Sequence, residues 1–292
     1  MKVAFIGVGN MGKPMAANIV KGGHELFVLD SDTAHASAVA TEIGAKALGH
    51  VSELTNVDVI VTMLPDGKVV RTVALGDKGI ATVARPGTIL VDMSSSQPLI
   101  TKETGAALAK RGIPMIDAPV SGGVERATKG TLTIMIGGDD AQALEKVQPI
   151  LACMGNAFFP VGKLGAGHAA KALNNVVGAA NFAVLSEALI VAERYGIDQE
   201  TLVDIINVST GQSFTSTVVM KRFVVPKTYD TGFKVGLLSK DATIAAELSA
   251  DLGCDTPLIR LTDKRWIEAR DSLGAEEDNS KAILAWQKVR GS

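Results

Sequence analysis

Apolar runs alternate with helix-like stretches through the first half of the chain. The runs are short, rich in β-branched residues and nearly continuous. They cover residues 3–6, 26–29, 57–63, 88–92, 114–117 and 131–136. Continuous runs are typical of strands buried on both faces, and helices between such strands are typical of parallel crossovers. The pattern predicts an α/β fold with a doubly wound, mainly parallel sheet.

The second half of the chain has no strong strand pattern and is predicted to be helical. Residues 167–195 contain many helix formers and no proline, and Gly196 stands where a C-terminal cap is expected. Shorter helices are predicted at residues 199–208, 213–221, 240–252, 257–270 and 280–289. The sheet is therefore expected to be followed by a long helix and an all-helical domain.

A glycine-rich loop follows the first apolar run and opens the first helix-like stretch. Its sequence is GVGNMG, and Asp30 closes the second run 18 residues after Gly12. This is the dinucleotide-binding fingerprint, with a tight turn at Gly7, close pyrophosphate approach at Gly9 and helix–strand packing at Gly12. The predicted cofactor contacts in this loop are Gly7, Gly9, Asn10, Met11 and Gly12.

The fingerprint and the change of pattern together predict two domains. Residues 1–164 are expected to form a Rossmann-type NAD-binding domain, and residues 165–292 a long linking helix with a helical substrate and oligomerisation domain. A hydrophobic content of 47% over 292 residues is ample for two cores.

Asp30 indicates which cofactor is bound. A carboxylate at the end of the second strand accepts hydrogen bonds from the adenosine ribose and repels a 2′-phosphate. No lysine or arginine lies between Lys21 and Lys46, and Asp32 adds a second acid. We therefore expect NAD, with NADP less favoured.

Composition excludes several other classes of protein. A net charge of −2, 4% aromatic residues and no basic tract argue against a nucleic-acid partner. Cys153 and Cys254 are expected to be reduced packing residues, and no ligand-spaced cluster predicts a metal site. The most apolar stretch, residues 172–186, includes three asparagines and is expected to be too short for a membrane span. The protein is expected to be cytoplasmic.

Lys171 is the candidate catalytic residue. It lies four residues before Asn175, so both project from one face of the long helix. A buried lysine has a pKa shifted toward neutrality and can exchange a proton with a substrate oxygen. The structural alternative is a lysine that extends from a half-exposed helix to solvent. His168, one turn earlier, is a rival base but is expected to cap the helix or lie at the surface.

Four motifs in the same order resemble the β-hydroxyacid dehydrogenase family, which includes 3-hydroxyisobutyrate dehydrogenase and tartronate semialdehyde reductase. The motifs are residues 5–18, 117–123 and 165–175, and the pair Lys240-Asp241. The resemblance implies that Lys171 is the catalytic acid/base and that a lysine at position 240 closes over the cofactor. It further implies substrate-binding roles for Ser121, Gly122, Gly123 and Asn175, and cofactor contacts at Leu64, Pro65, Val69 and Ser95. It also implies a homodimer or homotetramer.

The implied reaction is hydride transfer between NAD and a small 3-hydroxy acid, 3-hydroxyisobutyrate or a similar acid, or its semialdehyde. A tartronate semialdehyde reductase or a related hydroxy-acid or sulfonate dehydrogenase is the alternative, because Gln212 and Ser213 could bind extra substrate groups or simply cap helices. Decarboxylating 6-phosphogluconate dehydrogenases resemble the chain less, since they are longer and carry histidine where Asn174 stands. Imine reductases typically replace the lysine. A non-catalytic dinucleotide-binding module is the alternative from a different class.

Overall fold

The computed structural model describes residues 1–287. The chain folds into two compact units, Met1–Lys171 and a second unit that begins at Ala172. The division falls inside one long helix, so the first unit ends with Lys171. Each unit has its own hydrophobic core.

A nine-stranded sheet forms the centre of the first unit. Its strands are β1 (Lys2–Ile6), β2 (Glu25–Leu29), β3 (Lys46–Ala47), β4 (Val59–Thr62), β5 (Ile89–Asp92), β6 (Met115–Asp117), β7 (Val120–Ser121), β8 (Leu132–Gly137) and β9 (Gly155–Gly162). The spatial order is β3-β2-β1-β4-β5-β6-β8-β7, with β9 paired to β8. Strands β1 to β6 pair in parallel, whereas β8 is antiparallel to β6 and β7. The prediction of a mainly parallel sheet is confirmed.

Helices cover both faces of this sheet. They are α1 (Gly12–Lys21), α2 (Thr33–Ile43), α3 (Gly67–Leu75), α4 (Ile80–Val83), α5 (Pro98–Ala109), α6 (Gly123–Lys129) and α7 (Ala141–Met154), with a short 3₁₀-helix at Val51–Glu53. Successive strand residues point to opposite faces. Val3 and Phe5 of β1 accordingly join one core cluster, while Ala4 and Ile6 join the other. Burial on both faces explains why the runs are apolar at every position.

The strand order reverses beside β1, with β2 on one side and β4 on the other. In open α/β sheets, ligands bind beyond the carboxyl ends of the strands at such a reversal. The loops that follow β1, β4 and β5 therefore meet where a dinucleotide is expected.

The second unit is helical. Its elements are the long helix α8 (Ala166–Tyr195), which starts in the first unit, then α9 (Gln199–Asn207), a π-helix (Thr215–Val224), α10 (Val235–Asp251), α11 (Pro257–Leu273), a 3₁₀-turn (Asn279–Lys281) and α12 (Ala282–Gln287). Phe182, Trp266 and Trp286 pack in tilted and edge-to-face arrangements in its core, with ring centroids 5.4–5.9 Å apart. The indole N–H of Trp266 donates to the carbonyl of Ala179 at 3.1 Å, so its burial leaves no polar group unsatisfied.

Besides the short strands β3 and β7, which were not predicted, two longer elements differ from the predictions. The stretch expected as an α-helix at residues 213–221 is a π-helix at Thr215–Val224. Hydroxyls of Ser216 and Thr217 donate to the Ser213 carbonyl at its start, which competes with the usual helical pairing. Strand β9 was not predicted, because it is an exposed edge strand whose short apolar run is interrupted by Pro160. The helix predicted at residues 280–289 extends outside the described residues.

The apolar stretch at residues 172–186, which was expected to be too short for a membrane span, is part of the longer helix α8. By length and composition it is apolar enough to cross a membrane, although 44% of its most apolar window is buried inside the structure. Its buried residues, among them Val176, Phe182 and Leu189, belong to the core of the helical unit. A core helix of a water-soluble domain has the same character, so the absence of a membrane partner stays a prediction.

Candidate active site

The glycine-rich loop has the backbone that its sequence predicts. Gly7 has φ +94°, and a Cβ there would lie 2.3 Å from the carbonyl oxygen of Met63. A Cβ on Gly12 would lie 1.9 Å from the carbonyl oxygen of Gly7, so α1 can pack against the loop only through glycine. Next to Gly9 nothing lies within 4 Å of a Cβ position. The loop is open at the point where a pyrophosphate would approach.

The start of α1 is suited to an anion. Met11 precedes the helix, and no side chain of the described residues caps its N-terminus. The first N–H groups of a helix lack intrahelical partners and form the positive end of its dipole. Together with the open side of Gly9, this helix start fits the diphosphate of a dinucleotide.

Asp30 lies at the end of β2 and is held against the glycine-rich loop. Its Oδ2 accepts from the N–H of Val8 at 2.9 Å, and its Oδ1 accepts from the N–H of Asp32 at 3.2 Å. The Asp32 side chain in turn caps α2 by accepting from the N–H of His35. The His35 ring lies 3.1 Å from the Val8 carbonyl, a contact that the sequence did not suggest. These bonds fix a carboxylate beside the loop.

The cofactor contacts predicted after β4 and β5 reach the same edge of the sheet, because β1, β4 and β5 are parallel neighbours. The N–H of Leu64 donates to Ser94 Oγ at 2.9 Å, which ties the two loops together. Ser95 is half-buried, Pro65 is exposed and Val69 is 37% exposed at the start of α3. The structure thus brings the predicted residues of both loops beside the glycine-rich loop.

The segment Ser121-Gly122-Gly123 forms a sharp turn between β7 and α6. Gly122 has φ +136° and Gly123 has φ +65°, conformations that L-residues rarely adopt. A Cβ on Gly122 would also lie 2.7 Å from the Arg126 side chain. The turn is accessible, with Ser121 half-buried and Gly123 exposed. A hydroxyl and backbone N–H groups at such a turn are suitable donors for a carboxylate.

Lys171 lies half-buried in the second turn of α8. The helix begins against Asp117, whose Oδ1 accepts from the N–H of Gly165 and whose Oδ2 accepts from the N–H of His168, both at 2.8 Å. Asp117 is fully buried at the end of β6. Burial raises the pKa of Asp117, while the His168 charge and these hydrogen bonds oppose the rise.

The expectation that His168 caps the helix or lies at the surface was wrong. The residue is 1% exposed, and its Nδ1 lies 2.8 Å from the hydroxyl oxygen of Thr101 on α5. Helical spacing alone could not reveal this, because the partners of His168 come from other parts of the chain.

In the helical unit, Asp241 connects two of the predicted residues. The amide of Asn175 donates to Asp241 Oδ2 at 2.7 Å, and the ammonium of Lys240 lies 3.2 Å from Asp241 Oδ1. Asp241 is 4% exposed, so its charge is sheltered from water. The sequence indicated Asn175 and Lys240 separately, and the carboxylate that holds both was not recognised. The signal was present in the Lys240-Asp241 pair.

Within residues 1–287, no group of three or more His, Cys, Asp or Glu side chains could hold a metal ion. The first unit contains a loop that is suited to bind a dinucleotide. It also contains a half-buried lysine, whose helix is anchored to the same sheet.

Each half of the chain matches a model of a known protein family. Residues 2–162 match a family model described as the NAD binding domain of 6-phosphogluconate dehydrogenase. Residues 165–286 match one described as NAD-binding of NADP-dependent 3-hydroxyisobutyrate dehydrogenase.

Individual relatives match over most of the chain. It is 36% identical to 2-(hydroxymethyl)glutarate dehydrogenase of Eubacterium barkeri, over 100% of this chain and 96% of that one. It is 34% identical to the NAD-dependent L-serine dehydrogenase of Pseudomonas aeruginosa, over 88% of each. A solved structure of Mycobacterium tuberculosis 3-hydroxyisobutyrate dehydrogenase with L-serine superimposes with a TM-score of 0.89 at 31% identity, covering 98% of each chain.

The glycine-rich loop on a parallel sheet, followed by a helical unit, defines a nicotinamide-dinucleotide oxidoreductase. The chain belongs to the β-hydroxyacid dehydrogenase family, in which a nicotinamide cofactor oxidises small hydroxy acids. The family resemblance inferred from the four motifs is confirmed.

Proposed function

We propose that this enzyme transfers a hydride between NAD and a small 3-hydroxy acid, with Lys171 as the general acid/base. The observation that carries this proposal is the anchoring of the Lys171 helix. Asp117, at the carboxyl end of β6, binds the first turn of α8 through two backbone N–H groups. Lys171 therefore belongs to the same edge of the sheet as the glycine-rich loop.

The residues of the first unit fit the cofactor. The loop at residues 7–12 would hold the pyrophosphate, Asp30 the adenosine ribose, and Leu64, Pro65, Val69 and Ser95 the nicotinamide half. The bound nicotinamide supplies the hydride acceptor for oxidation and the donor for reduction. The family resemblance assigns Lys240 of the helical unit a cofactor contact, and the sheltered carboxylate of Asp241, 3.2 Å from its ammonium, restricts the orientation of this side chain.

The chain's own residues would move the proton and orient the substrate. Lys171 takes the proton from the substrate hydroxyl during oxidation and returns it to the carbonyl oxygen during reduction. The turn at Ser121, Gly122 and Gly123 binds the carboxylate with its hydroxyl and N–H groups. Asn175 contributes an amide whose N–H₂ is already oriented by Asp241. Positioning and charge stabilisation are thus the protein's contribution.

The preference for NAD rests on Asp30. Hydrogen bonds from Val8 and Asp32 keep its carboxylate at the end of β2, where the 2′-phosphate of NADP would meet a fixed negative charge. Among the relatives, the L-serine dehydrogenase is named as NAD-dependent, whereas the model matching residues 165–286 is described for an NADP-dependent enzyme. The carboxylate of Asp30 in this chain favours NAD.

The names of three relatives share one piece of substrate chemistry. 2-(Hydroxymethyl)glutarate, L-serine and 3-hydroxyisobutyrate each carry a CH₂OH group on the carbon beside a carboxylate, and they differ in the other substituent on that carbon. We infer that this chain also oxidises such a primary alcohol. Tartronate semialdehyde has its aldehyde in the equivalent position, so its reduction, with glycerate as product, stays within the proposed class, as does that of a sulfonate analogue.

The test is nicotinamide absorbance with NAD and with NADP across a substrate panel. The panel contains the three acids named above, 3-hydroxypropionate, glycerate, a hydroxysulfonate, and lactate as a 2-hydroxy acid control. We expect turnover with NAD for at least one member bearing the CH₂OH group and none with lactate. Tight NADH binding without turnover of any member would contradict the proposal and favour a non-catalytic dinucleotide-binding module.

We also propose that the protein is a homodimer or homotetramer that associates through α8. Apolar side chains spaced mostly by seven residues form an exposed stripe along this helix, with Val177, Val184 and Val191 between 59% and 66% exposed and Tyr195 83% exposed. A seven-residue repeat keeps a helix face directed at a second helix, and the same face on two copies is self-complementary. Association through this stripe would remove its apolar side chains from water.

A further inference from the structure

A buried group of polar side chains lies at the carboxyl ends of three neighbouring strands in the first unit. Thr62 ends β4, Asp92 ends β5 and Asp117 ends β6, and all three are fully buried. His168 enters the same group from the first turn of α8. Buried carboxylates are costly unless they are paired and hydrogen-bonded. The proposed reaction uses none of these four residues directly, so their presence needs another explanation.

Asp92 is the centre of the group. Its Oδ1 accepts from the Thr62 hydroxyl at 2.9 Å and from the N–H of Ser94 at 3.0 Å. Its Oδ2 accepts from the Ser96 hydroxyl at 2.9 Å and lies 3.6 Å from Nε2 of His168. The His168 ring therefore reaches a carboxylate that is also bound by the last residue of β4 and by two serines of the loop after β5.

The orientation of the His168 ring follows from Thr101. The Thr101 hydroxyl donates its one proton to the Gln97 carbonyl at 3.1 Å. Its oxygen, 2.8 Å from His168 Nδ1, is left to accept from an Nδ1–H group, and the approach of Nε2 to Asp92 at 3.6 Å is an ion pair when Nε2 also carries a proton. Nδ1 also lies 3.7 Å from Asp117 Oδ2, so the ring is placed between the carboxylates of β5 and β6.

The first turn of α8 fits closely on the sheet. A Cβ on Gly167 would lie 2.5 Å from the Met135 carbonyl oxygen and 2.8 Å from Asp117 Oδ2. The backbone of this turn therefore rests directly on β6 and β8. Backbone contact and the Asp117 bonds fix where the helix starts, and the His168 side chain adds the connection to β5.

The cofactor side of the proposed site is tied into the same group. Ser94 Oγ accepts from the N–H of Leu64, and Ser94 and Ser96 flank Ser95. Leu64 and Ser95 are the residues proposed to contact the nicotinamide half. Hydrogen bonds thus join the nicotinamide-contact loops to Asp92, and the 3.6 Å contact between Asp92 Oδ2 and His168 Nε2 extends this connection to the turn that precedes Lys171.

We propose that His168 is a positioning residue: by bridging Asp92 and the start of α8, it fixes Lys171 relative to the loops that hold the nicotinamide. This inference rests on the proposed role of Lys171. Its physical basis is that a displacement of about 1 Å in a reacting group can lower the rate by about 100-fold. Loss of the bridge would also leave the Asp92 carboxylate with one fewer partner in a dry site.

The experiment compares three variants with the wild type in kcat, KM, NADH affinity and thermal unfolding. His168→Leu removes both ring nitrogens, and His168→Gln restores a donor that can reach toward Asp92. Thr88→Val is the matched control, because the Thr88 hydroxyl donates to the Val57 carbonyl in an equally buried position at the amino end of β5. It loses one buried hydrogen bond at the opposite edge of the sheet.

We expect His168→Leu to lower kcat by about 10- to 100-fold with NADH affinity and KM changed less than threefold. His168→Gln should recover most of the loss, and Thr88→Val should keep the wild-type kcat despite a lowered unfolding temperature. The proposal is refuted if His168→Leu retains kcat within twofold, or if His168→Gln is no better than His168→Leu.

Two further measurements keep the proposal testable. If His168→Leu does not fold, Thr101→Val removes the hydroxyl that orients the ring, and an unchanged kcat in that variant would refute the proposal. Amide hydrogen exchange over residues 165–171 needs no turnover, and the bridge predicts faster exchange there in either variant. A wild type inactive with every substrate would refute the proposed function, while unchanged exchange would separately refute the bridge.

Discussion

The backbone N–H of His168 donates to the carboxylate of Asp117 at 2.8 Å, across 51 positions of the chain. This bond connects the end of strand β6 to the start of the helix that carries Lys171. The helix dipole favours a carboxylate at this end, and Asp117 also satisfies the N–H of Gly165. The geometry of the lysine therefore depends on a residue that never needs to touch the substrate.

Replacing Lys171 with alanine should lower kcat by about 100- to 10,000-fold, because a positioned acid/base contributes about that much to a hydride transfer coupled to proton transfer. NADH affinity, measured by fluorescence titration, should change little. Lys163→Ala is the matched control, since Lys163 is exposed and lies just before α8. Loss of NADH binding together with activity would mean that Lys171 has a structural role instead.

The double change Asp30→Ala with Ser31→Arg should shift the ratio of kcat/KM for NADP over NAD upward by at least about tenfold, equivalent to about 1.4 kcal/mol. The change removes the fixed carboxylate beside Val8 and supplies a cation for the 2′-phosphate. Ser31→Ala alone is the control and should keep the wild-type ratio. An unchanged ratio in the double variant would contradict the role assigned to Asp30.

Ser121→Ala should raise the KM of the hydroxy acid by about 10- to 100-fold, because a hydrogen bond to a charged group contributes about 1.5–3 kcal/mol. The NADH dissociation constant provides the internal control and should stay at the wild-type value. Steady-state kinetics with the best substrate of the panel would measure both. A wild-type KM would mean that the substrate carboxylate binds elsewhere.

Asp117 should make the free energy of unfolding decrease as the pH rises. Its pKa is raised in the folded state, mainly by burial, above the ordinary value of 3.8. Between these two pKa values the folded protein binds more protons than the unfolded one, so this group's contribution falls as pH rises. The contribution is fully present below pH 3.8 and is lost once the pH exceeds the raised pKa.

Denaturant unfolding at a series of pH values would test that sign by comparison with Asp117→Asn. The other carboxyls are common to both proteins, so they cancel in the difference. The wild type should lose stability relative to the variant as pH rises from 3.8 through the raised pKa. A difference that stays constant, or that increases with pH, would contradict the raised pKa.

The change Val184→Glu combined with Val191→Glu should shift the assembly toward monomers, because both side chains are exposed on the apolar stripe of α8 and charges there would be desolvated on association. Light scattering coupled to gel filtration would measure the mass. Val208→Glu is the control, since Val208 is 88% exposed but follows α9. A wild type that is already monomeric would refute the proposed association.

The strands and the glycine-rich loop were predictable because their signals are local. A strand buried on both faces must be apolar at every position, and a loop with φ +94° at Gly7 and no room beside Gly12 must carry glycine there. The long helix was predictable within one residue for the same reason, since its formers and its glycine cap are consecutive in the chain.

What the sequence by itself determined is thus the sheet, the cofactor loop, the family and the candidate lysine. The tertiary structure alone decided that His168 is buried between Asp92 and Asp117, that Asp241 holds both Asn175 and Lys240, and that residues 155–162 add an edge strand. Each of these depends on partners far away in the chain, whose distance and direction no local pattern contains. Burial and pairing of polar groups are properties of the folded chain, and they decide which of its ionisable side chains can support the chemistry.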